Sequence, residues 1–318
     1  MKRFALTLAA LALTGAMAFA DDMAPVAKVS GYVNSGIKVT KTDTADPVYT
    51  SYANDYGAAG TWGKVSVSVD AANYGAKATA QASDAAAASI ADAFVWYSPM
   101  AGLVVDAGTT YNKVSFDGVD DNSPDYFWAN GFGATYSMSG ISVGARVAPA
   151  TGTANVGFGA AYELPKVATV HFSGNMNGQN FANFTVTGSV SAIEKLSLSA
   201  GYDSEGIDKT VANQADVSVS YAITDAFSAG VIAYDKLTAS YFTVEPNVSY
   251  VVAPGVTASA YYKLYTDKQT AADKSVGSDN EIQAKVALAA GSGTLAAWVQ
   301  YNTAPKTTVL EADYVISF

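Results

Sequence analysis

Apolar and polar residues alternate with a period of two in one short run after another along this chain. The last run is the cleanest. Leu310, Ala312, Tyr314, Ile316 and Phe318 occupy one set of positions, and Glu311, Asp313, Val315 and Ser317 the other. A period of two places the two sets on opposite faces of a strand. The pattern repeats in Phe132/Ala134/Tyr136 and Ile141/Val143/Ala145/Val147, on either side of Met138-Ser139-Gly140. Further short turns are predicted at Thr61-Trp62-Gly63, Ser98-Pro99-Met100-Ala101-Gly102, Glu163-Leu164-Pro165-Lys166, Ala192-Ile193-Glu194-Lys195, Thr224-Asp225-Ala226, Ala253-Pro254-Gly255 and Gly291-Ser292-Gly293. Their Gly, Pro, Asn, Asp and Ser residues suit tight turns. Longer polar connections fall at 41–47, 82–87, 113–126, 150–153, 176–180, 204–212, 236–238, 267–279 and 303–306. Together these turns and loops join about 18 antiparallel strands, with 16 as the alternative count.

Two places resist the pattern. Val65, Val67, Val69 and Ala71 are odd-numbered, whereas Ala76, Ala78 and Ala80 are even-numbered. A bulge at Asn73-Tyr74-Gly75 would flip the parity and keep the strand count even. Pro246 falls inside a run, where it cannot donate to a ladder, and is expected near the loop end of its strand.

Composition turns a β-protein into a membrane β-protein. Half of the residues are hydrophobic, only 14% are charged, and Tyr numbers 20. No stretch after the first residues reaches the ~18 consecutive apolar positions of a spanning helix. The expected fold is therefore all-β, a transmembrane antiparallel up-and-down β-barrel whose last strand pairs with its first to leave no open edge. At the N-terminus, Lys2-Arg3, the apolar run Phe4 to Leu13 and Ala18-Phe19-Ala20 read as a signal peptide over 1–20, leaving the barrel as 21–318. Of the 18 basic residues, losing Lys2 and Arg3 leaves 16 against 28 acidic ones, a formal charge of −12. Such a chain repels nucleic acid. It contains no cysteine, so disulfides and thiol chemistry do not arise.

The alternation sorts charges onto the inner wall. By parity, Lys38, Lys64, Arg146, Lys263 and Lys285 face the lumen, with Asp70, Asp106, Asp216, Glu245, Glu281, Glu311 and Asp313. A basic residue on the lipid face would cost ~2–4 kcal/mol at the midplane, which enforces that assignment. Each such group keeps the lumen wet, and an excess of carboxylates favours cations. Trp62, Tyr97, Tyr136, Tyr162, Tyr221, Tyr250 and Tyr314 lie near strand ends, where interfacial rings form a girdle.

The terminal strand ending in Phe318, the leader, the succession of hairpins and the position of the 113–126 loop together resemble a general bacterial outer-membrane porin. That resemblance implies a passive channel with no cofactor, in contact with outer-membrane lipid and passing small hydrophilic solutes and cations. It implies a third outward loop folded into the lumen, with Asp117, Asp120, Asp121 and Asp125 as constriction carboxylates. It also implies assembly as a trimer, and insertion by the barrel-assembly machinery reading Tyr314, Ile316 and Phe318. In such porins a cluster of arginines opposes the loop; here Arg146 is the one arginine after the leader, so a weakly cation-selective pore is expected.

Other readings start from individual residues. Asp117 to Asn122 lacks the spacing of a calcium loop. Trp298, Tyr261 and Tyr265 point inward and could touch a sugar, but without an arginine partner. The lone histidine, His171, stands two positions from Ser173, a spacing that resembles the dyad of outer-membrane phospholipase, with Asn183 as orienter. Parity places His171 and Ser173 toward the lumen, however, and a lipase needs them on the lipid side. A non-conducting adhesin or structural barrel is the competing class.

Overall fold

The computed structural model describes residues 25–318 apart from 54–57, 60, 84–87, 111–128, 151–152, 178–179, 205–212, 238–240, 266–279 and 304–305. The expected leader over 1–20 lies outside the described residues. So do Asp117, Asp120, Asp121 and Asp125.

The chain forms a closed antiparallel barrel of 18 wall strands. These are β1 (Val26–Thr42), β2 (in two parts, Val48–Ala53 and Trp62–Asp70), β3 (Tyr74–Ser83), β4 (Ser89–Met100), β5 (Leu103–Thr110) and β6 (Ala129–Met138). They continue as β7 (Ile141–Ala150), β8 (Thr153–Leu164), β9 (Ala168–Asn177), β10 (Asn180–Val190), β11 (Leu196–Ser204) and β12 (Gln214–Ala222). The last six are β13 (Phe227–Lys236), β14 (Tyr241–Ala253), β15 (Val256–Tyr265), β16 (Glu281–Ala290), β17 (Gly293–Thr303) and β18 (Lys306–Ser317).

Each strand pairs with its neighbour in sequence, and β18 pairs with β1 from Tyr32↔Ser317 to Thr42↔Thr307. Closure satisfies the edge groups that an open sheet would expose. Both described chain ends sit at the short-turn end of the barrel, with Val26 opposite Asp70 and Ile316 opposite Gly293.

The beginning of the barrel differs from the sequence expectation. Thr61-Trp62-Gly63 is not a turn. The lower half of β1 pairs with Trp62–Asp70 and its upper half with Val48–Ala53, so both segments belong to one wall strand interrupted by an excursion. Within that excursion Ala58–Ala59 pairs back onto Tyr52 and Ala53. The turn lies instead at 71–73, closed by the Ala71 amide donating to the Tyr74 carbonyl at 2.9 Å. The expected bulge at Asn73-Tyr74-Gly75 is therefore a hairpin end. Its register, Val69↔Ala76 and Val67↔Ala78, joins odd to even positions on one face, which accounts for the parity flip. One misplaced turn and one missed turn cancel, and the strand count is unchanged.

Pro246 also differs. It lies within the paired length of β14, opposite Val231 of β13. On the other side the ladder to β15 skips Glu245 and Pro246, while the register on either flank is continuous. Without an N–H the ring leaves a gap in the ladder but does not shift it.

The outward face is apolar. Val29, Val33, Ile37, Val95, Phe132, Val147, Ile282 and Leu310 are all exposed. Phe158, Phe172, Phe184 and Tyr202 form a row of tilted rings across β8 to β11, with centroids 5.9, 6.1 and 5.9 Å apart. Tyr97, Tyr136, Tyr162, Tyr221, Tyr250 and Tyr314 share this face by register. Trp62 does not. It is buried on the opposite face, opposite Asn34, with its ring 5.1 Å from that of Tyr32. Among the described residues no helix is long and apolar enough to cross a membrane.

Candidate functional site: the interior wall

Opposite the apolar surface, the same alternation lines the inside of the barrel. Directly paired residues share a face, so the interior can be followed from strand to strand. One row runs Lys38, Glu311, Trp298, Lys285, Ser259 across β1, β18, β17, β16 and β15. Asp313 faces Gly36, Lys64 faces Tyr32, and Asp70 faces Val26 near the short turns. Asp106 and Arg146 face Gly133, Asp216 faces Gly201, Glu245 faces Ile232, and Lys263 faces Glu281.

Five interior charges escaped the sequence reading: Lys28 lies opposite Ser68 and Glu163 opposite Thr169, and three more sit on β3, β4 and β11. Lys77 and Asp92 form an ion pair at 3.7 Å. Asp92 was hidden by a true bulge: Thr79 pairs with Asp92 but Ala80 with Ile90, so Ala91 is extra and the parity of β4 changes there. Asp203 was legible, because Leu196, Leu198, Ala200 and Tyr202 already set the outward face of β11.

Arg146 is sealed into the wall. It is 2% exposed, pairs with the Asp106 carboxylate and donates to the carbonyl of Gly108. A third bond reaches the Gly131 carbonyl at 3.2 Å. Gly133 lies between the two charged partners. A Cβ there would stand 2.5 Å from Asp106 Oδ2 and 2.9 Å from Arg146 Nη1. The missing side chain is what lets guanidinium and carboxylate meet across the intervening strand.

Lysines and rings are matched elsewhere. Lys64 Nζ lies 5.1 Å from the Trp62 ring centroid, and Lys263 and Lys285 each lie 5.2 Å from those of Tyr234 and Trp298. Such contacts hold an ammonium against the wall, and here they cover one face of each ring. Lys263 also approaches Glu245 at 3.8 Å, while the Tyr261 hydroxyl donates to Glu281. Gln283, Gln300 and Asn302 form a chain of amide hydrogen bonds of 3.2 Å each. The side chain of Tyr265 lies outside the described residues.

His171 and Ser173 are on the interior face, paired with Ala161 and Gly159 of β8 and with Thr187 and Thr185 of β10. They point away from the apolar outer surface, and among the described residues Ser173 Oγ has no hydrogen-bond partner. His171 is therefore not bonded to it as a base would be. The side chain of Asn183 lies outside the described residues.

By register, carboxylates outnumber cations on the described interior strands. Asp70, Asp92, Asp106, Glu163, Asp203, Asp216, Glu245, Glu281, Glu311 and Asp313 stand against Lys28, Lys38, Lys64, Lys77, Arg146, Lys263 and Lys285.

No protein-family model matches the chain, and no curated protein matches it significantly. Solved structures do. A multiply substituted mutant of Rh. blastica porin is 16% identical, with TM-score 0.60, over 92% of this chain and 100% of that one. A triple mutant of Rhodopseudomonas blastica porin is 17% identical, with TM-score 0.58 over the same shares. A third, 16% identical with TM-score 0.58 over the same shares, is described by the words "Asymmetric conductivity of engineered proteins". At these identities the likeness is one of fold, and the chain has the closed antiparallel β-barrel fold of bacterial porins.

Proposed function

We propose that this protein is a passive diffusion channel of the bacterial outer membrane, passing ions and small hydrophilic solutes with a weak preference for cations. The observation that carries the reading is the division of a closed 18-strand wall into an apolar outside and a charged, amide-rich inside. A barrel of that size encloses a lumen, whereas an eight-stranded one is filled by its own side chains. The preference for cations follows from the excess of interior carboxylates, since Arg146 is compensated within the wall by Asp106. A structural neighbour described for its conductivity supports the same reading.

In this reading residues 1–20 are an export leader, and 21–318 are the mature barrel. Asp117, Asp120, Asp121 and Asp125 add negative charge at the constriction. Tyr314, Ile316 and Phe318 are read by the assembly machinery, and the channel works as a trimer without a cofactor.

The test is single-channel conductance of the purified protein in a planar bilayer under a KCl gradient. Steady conductance with a reversal potential on the cation side is expected. A folded barrel that never conducts would overturn the reading in favour of an adhesin or structural barrel.

A further inference from the structure

The outer wall is not evenly filled. Over β14 to β18 and β1 an apolar hollow of about 870 Å³ opens on the outward face. Its floor is five alanines, Ala258, Ala260, Ala284, Ala297 and Ala312, and Ile37 and Tyr250 stand at its two ends. Register places these residues on two neighbouring outward rungs, with Leu310, Val299 and Val286 between them. Larger side chains rim the hollow on the same face, Tyr301 and Ile282 toward the loops and Leu295 and Leu288 toward the short turns.

Two outward lysines stand above this hollow at the loop end. Lys41 of β1 lies opposite Thr308 of β18, one outward rung above Val39 and Leu310, and Lys306 lies one rung higher on β18. A rung is about 7 Å. Diagonal neighbours of this kind have Cα atoms about 7–8 Å apart, so two long side chains can meet on one anion. Among the described residues no other lysine or arginine faces outward from a wall strand. The remaining strand cations lie on the interior face by register, and Lys166 and Lys195 sit in short turns. Lys41 Nζ donates to the Ala45 carbonyl at 2.9 Å. Lys306 Nζ lies 3.8 Å from Asp43 Oδ2, with both side chains nearly two-thirds exposed. An ammonium has three donors, and an exposed pair of this length holds weakly. Both lysines therefore keep donors for a further anion.

We infer that this face holds one phosphate-bearing membrane lipid in a fixed place, with an acyl chain in the hollow and the phosphate between Lys41 and Lys306. Hydrocarbon around such a wall is as apolar as the hollow itself, so burial alone selects nothing; retention comes from fit and from a polar anchor. The hollow supplies the fit, and its size is within the ~300–1,000 Å³ of small-molecule sites. The lysines supply charge of the right sign at the end of the strands, where long cationic side chains reach headgroup level. A second copy of the barrel would need a ridge to fill the hollow. The rings from Phe158 to Tyr202 form one on β8 to β11. It lies seven strands away, about 140° around the wall, whereas the two contacts of a head-to-tail trimer stand about 60° apart. A flexible chain fills the hollow without that constraint.

The lipid site rests on the membrane location proposed above, but not on conduction. Its test is native mass spectrometry of the detergent-solubilised full-length barrel, incubated with dipalmitoyl phosphatidylglycerol in mixed micelles. Dipalmitoylglycerol, with the same chains and no phosphate, is the control. One phosphatidylglycerol per barrel is expected, held about tenfold more tightly than the control, as two surface lysines would give. Lys41→Gln with Lys306→Gln should erase that difference. Ala284→Phe with Ala297→Phe fills the hollow from the outward face, where no core is crowded, and should weaken retention of both lipids. Equal retention of the two lipids by the native barrel, or unchanged retention in the filled variant, overturns the site. So does a native barrel that binds no lipid but pairs with a second copy and loses that pairing when the hollow is filled. Lipid retention that obeys the variants in a barrel that never conducts upholds the site and overturns the channel reading; a conducting barrel that retains no lipid does the reverse.

Discussion

Gly31 and Phe318 exchange both backbone hydrogen bonds, Gly31 N to Phe318 O at 2.9 Å and Phe318 N to Gly31 O at 3.0 Å. The last residue of the chain is thus the last rung of the seam that closes the barrel. A Cβ on Gly31 would lie 2.8 Å from Phe318 Cζ and would also meet the Lys64 carbonyl oxygen. Gly31→Val should therefore destabilise the barrel by about 1–3 kcal/mol, the usual result of overpacking. The check is the thermal midpoint and the mobility of unheated protein on a denaturing gel. Adding Phe318→Ala should not restore the loss, because the Lys64 carbonyl is fixed backbone. Full recovery in the double variant would mean that the ring alone excludes a side chain at 31.

The Arg146–Asp106 pair makes a second prediction. Removing one member of a buried ion pair leaves a desolvated charge, at a cost of about 3–5 kcal/mol. Arg146→Met should show a loss of this size in reversible urea unfolding in lipid. Arg146→Met with Asp106→Leu should recover most of it, since both charges then disappear. Gly133→Ala should mimic the single variant in part, by driving the two charged partners apart.

Alternation carried most of the fold into the sequence, because a closed wall with an apolar outside and a polar inside forces a period of two on nearly every strand. The interior placement of Glu311, Trp298 and Lys285 could be read from that period alone. What alternation cannot express is a change of phase. The hairpin at 71–73 and the bulge at Ala91 both flip parity, yet one is a turn and the other an extra residue inside a strand. Only the pairing partner separates them. Nor does a period of two report which interior groups meet. Asp106 and Arg146 are brought together through Gly133, a glycine whose value depends on the strands either side of it.

Pro246 offers a local test of the wall. The ladder between β14 and β15 lacks pairing at Glu245 and Pro246, opposite Lys263 and Tyr262 of β15, and proline has no N–H to donate to a β15 carbonyl. Hydrogen exchange there should be faster than at Ser259, which is paired with Ser249. Pro246→Val restores an N–H while keeping an apolar side chain on the outer face. The restored N–H can donate to a β15 carbonyl, and closing the ladder by that bond, worth about 1 kcal/mol, should slow exchange of the neighbouring β15 amides roughly fivefold. Unchanged exchange would show that the break is set by the flanking geometry and not by the missing donor.

Acidification should move ion selectivity in one direction. The interior carboxylates lose charge as they are protonated, while lysine and arginine keep theirs at every pH below neutrality. The wall therefore passes from a negative excess to a positive one as pH falls, and the reversal potential in a KCl gradient should drift from the cation side toward the anion side. Glu311→Gln with Asp313→Asn should shift the neutral-pH value the same way and shrink the remaining drift, because both side chains lie on the interior face beside Lys38. Asp43 pairs with Lys306 at 3.8 Å on an exposed rim, so Asp43→Asn should leave the potential nearly unchanged, screened by salt. A reversal potential that holds constant from neutral to acid pH, in a barrel that stays folded, would mean that fixed interior carboxylates do not set the selectivity.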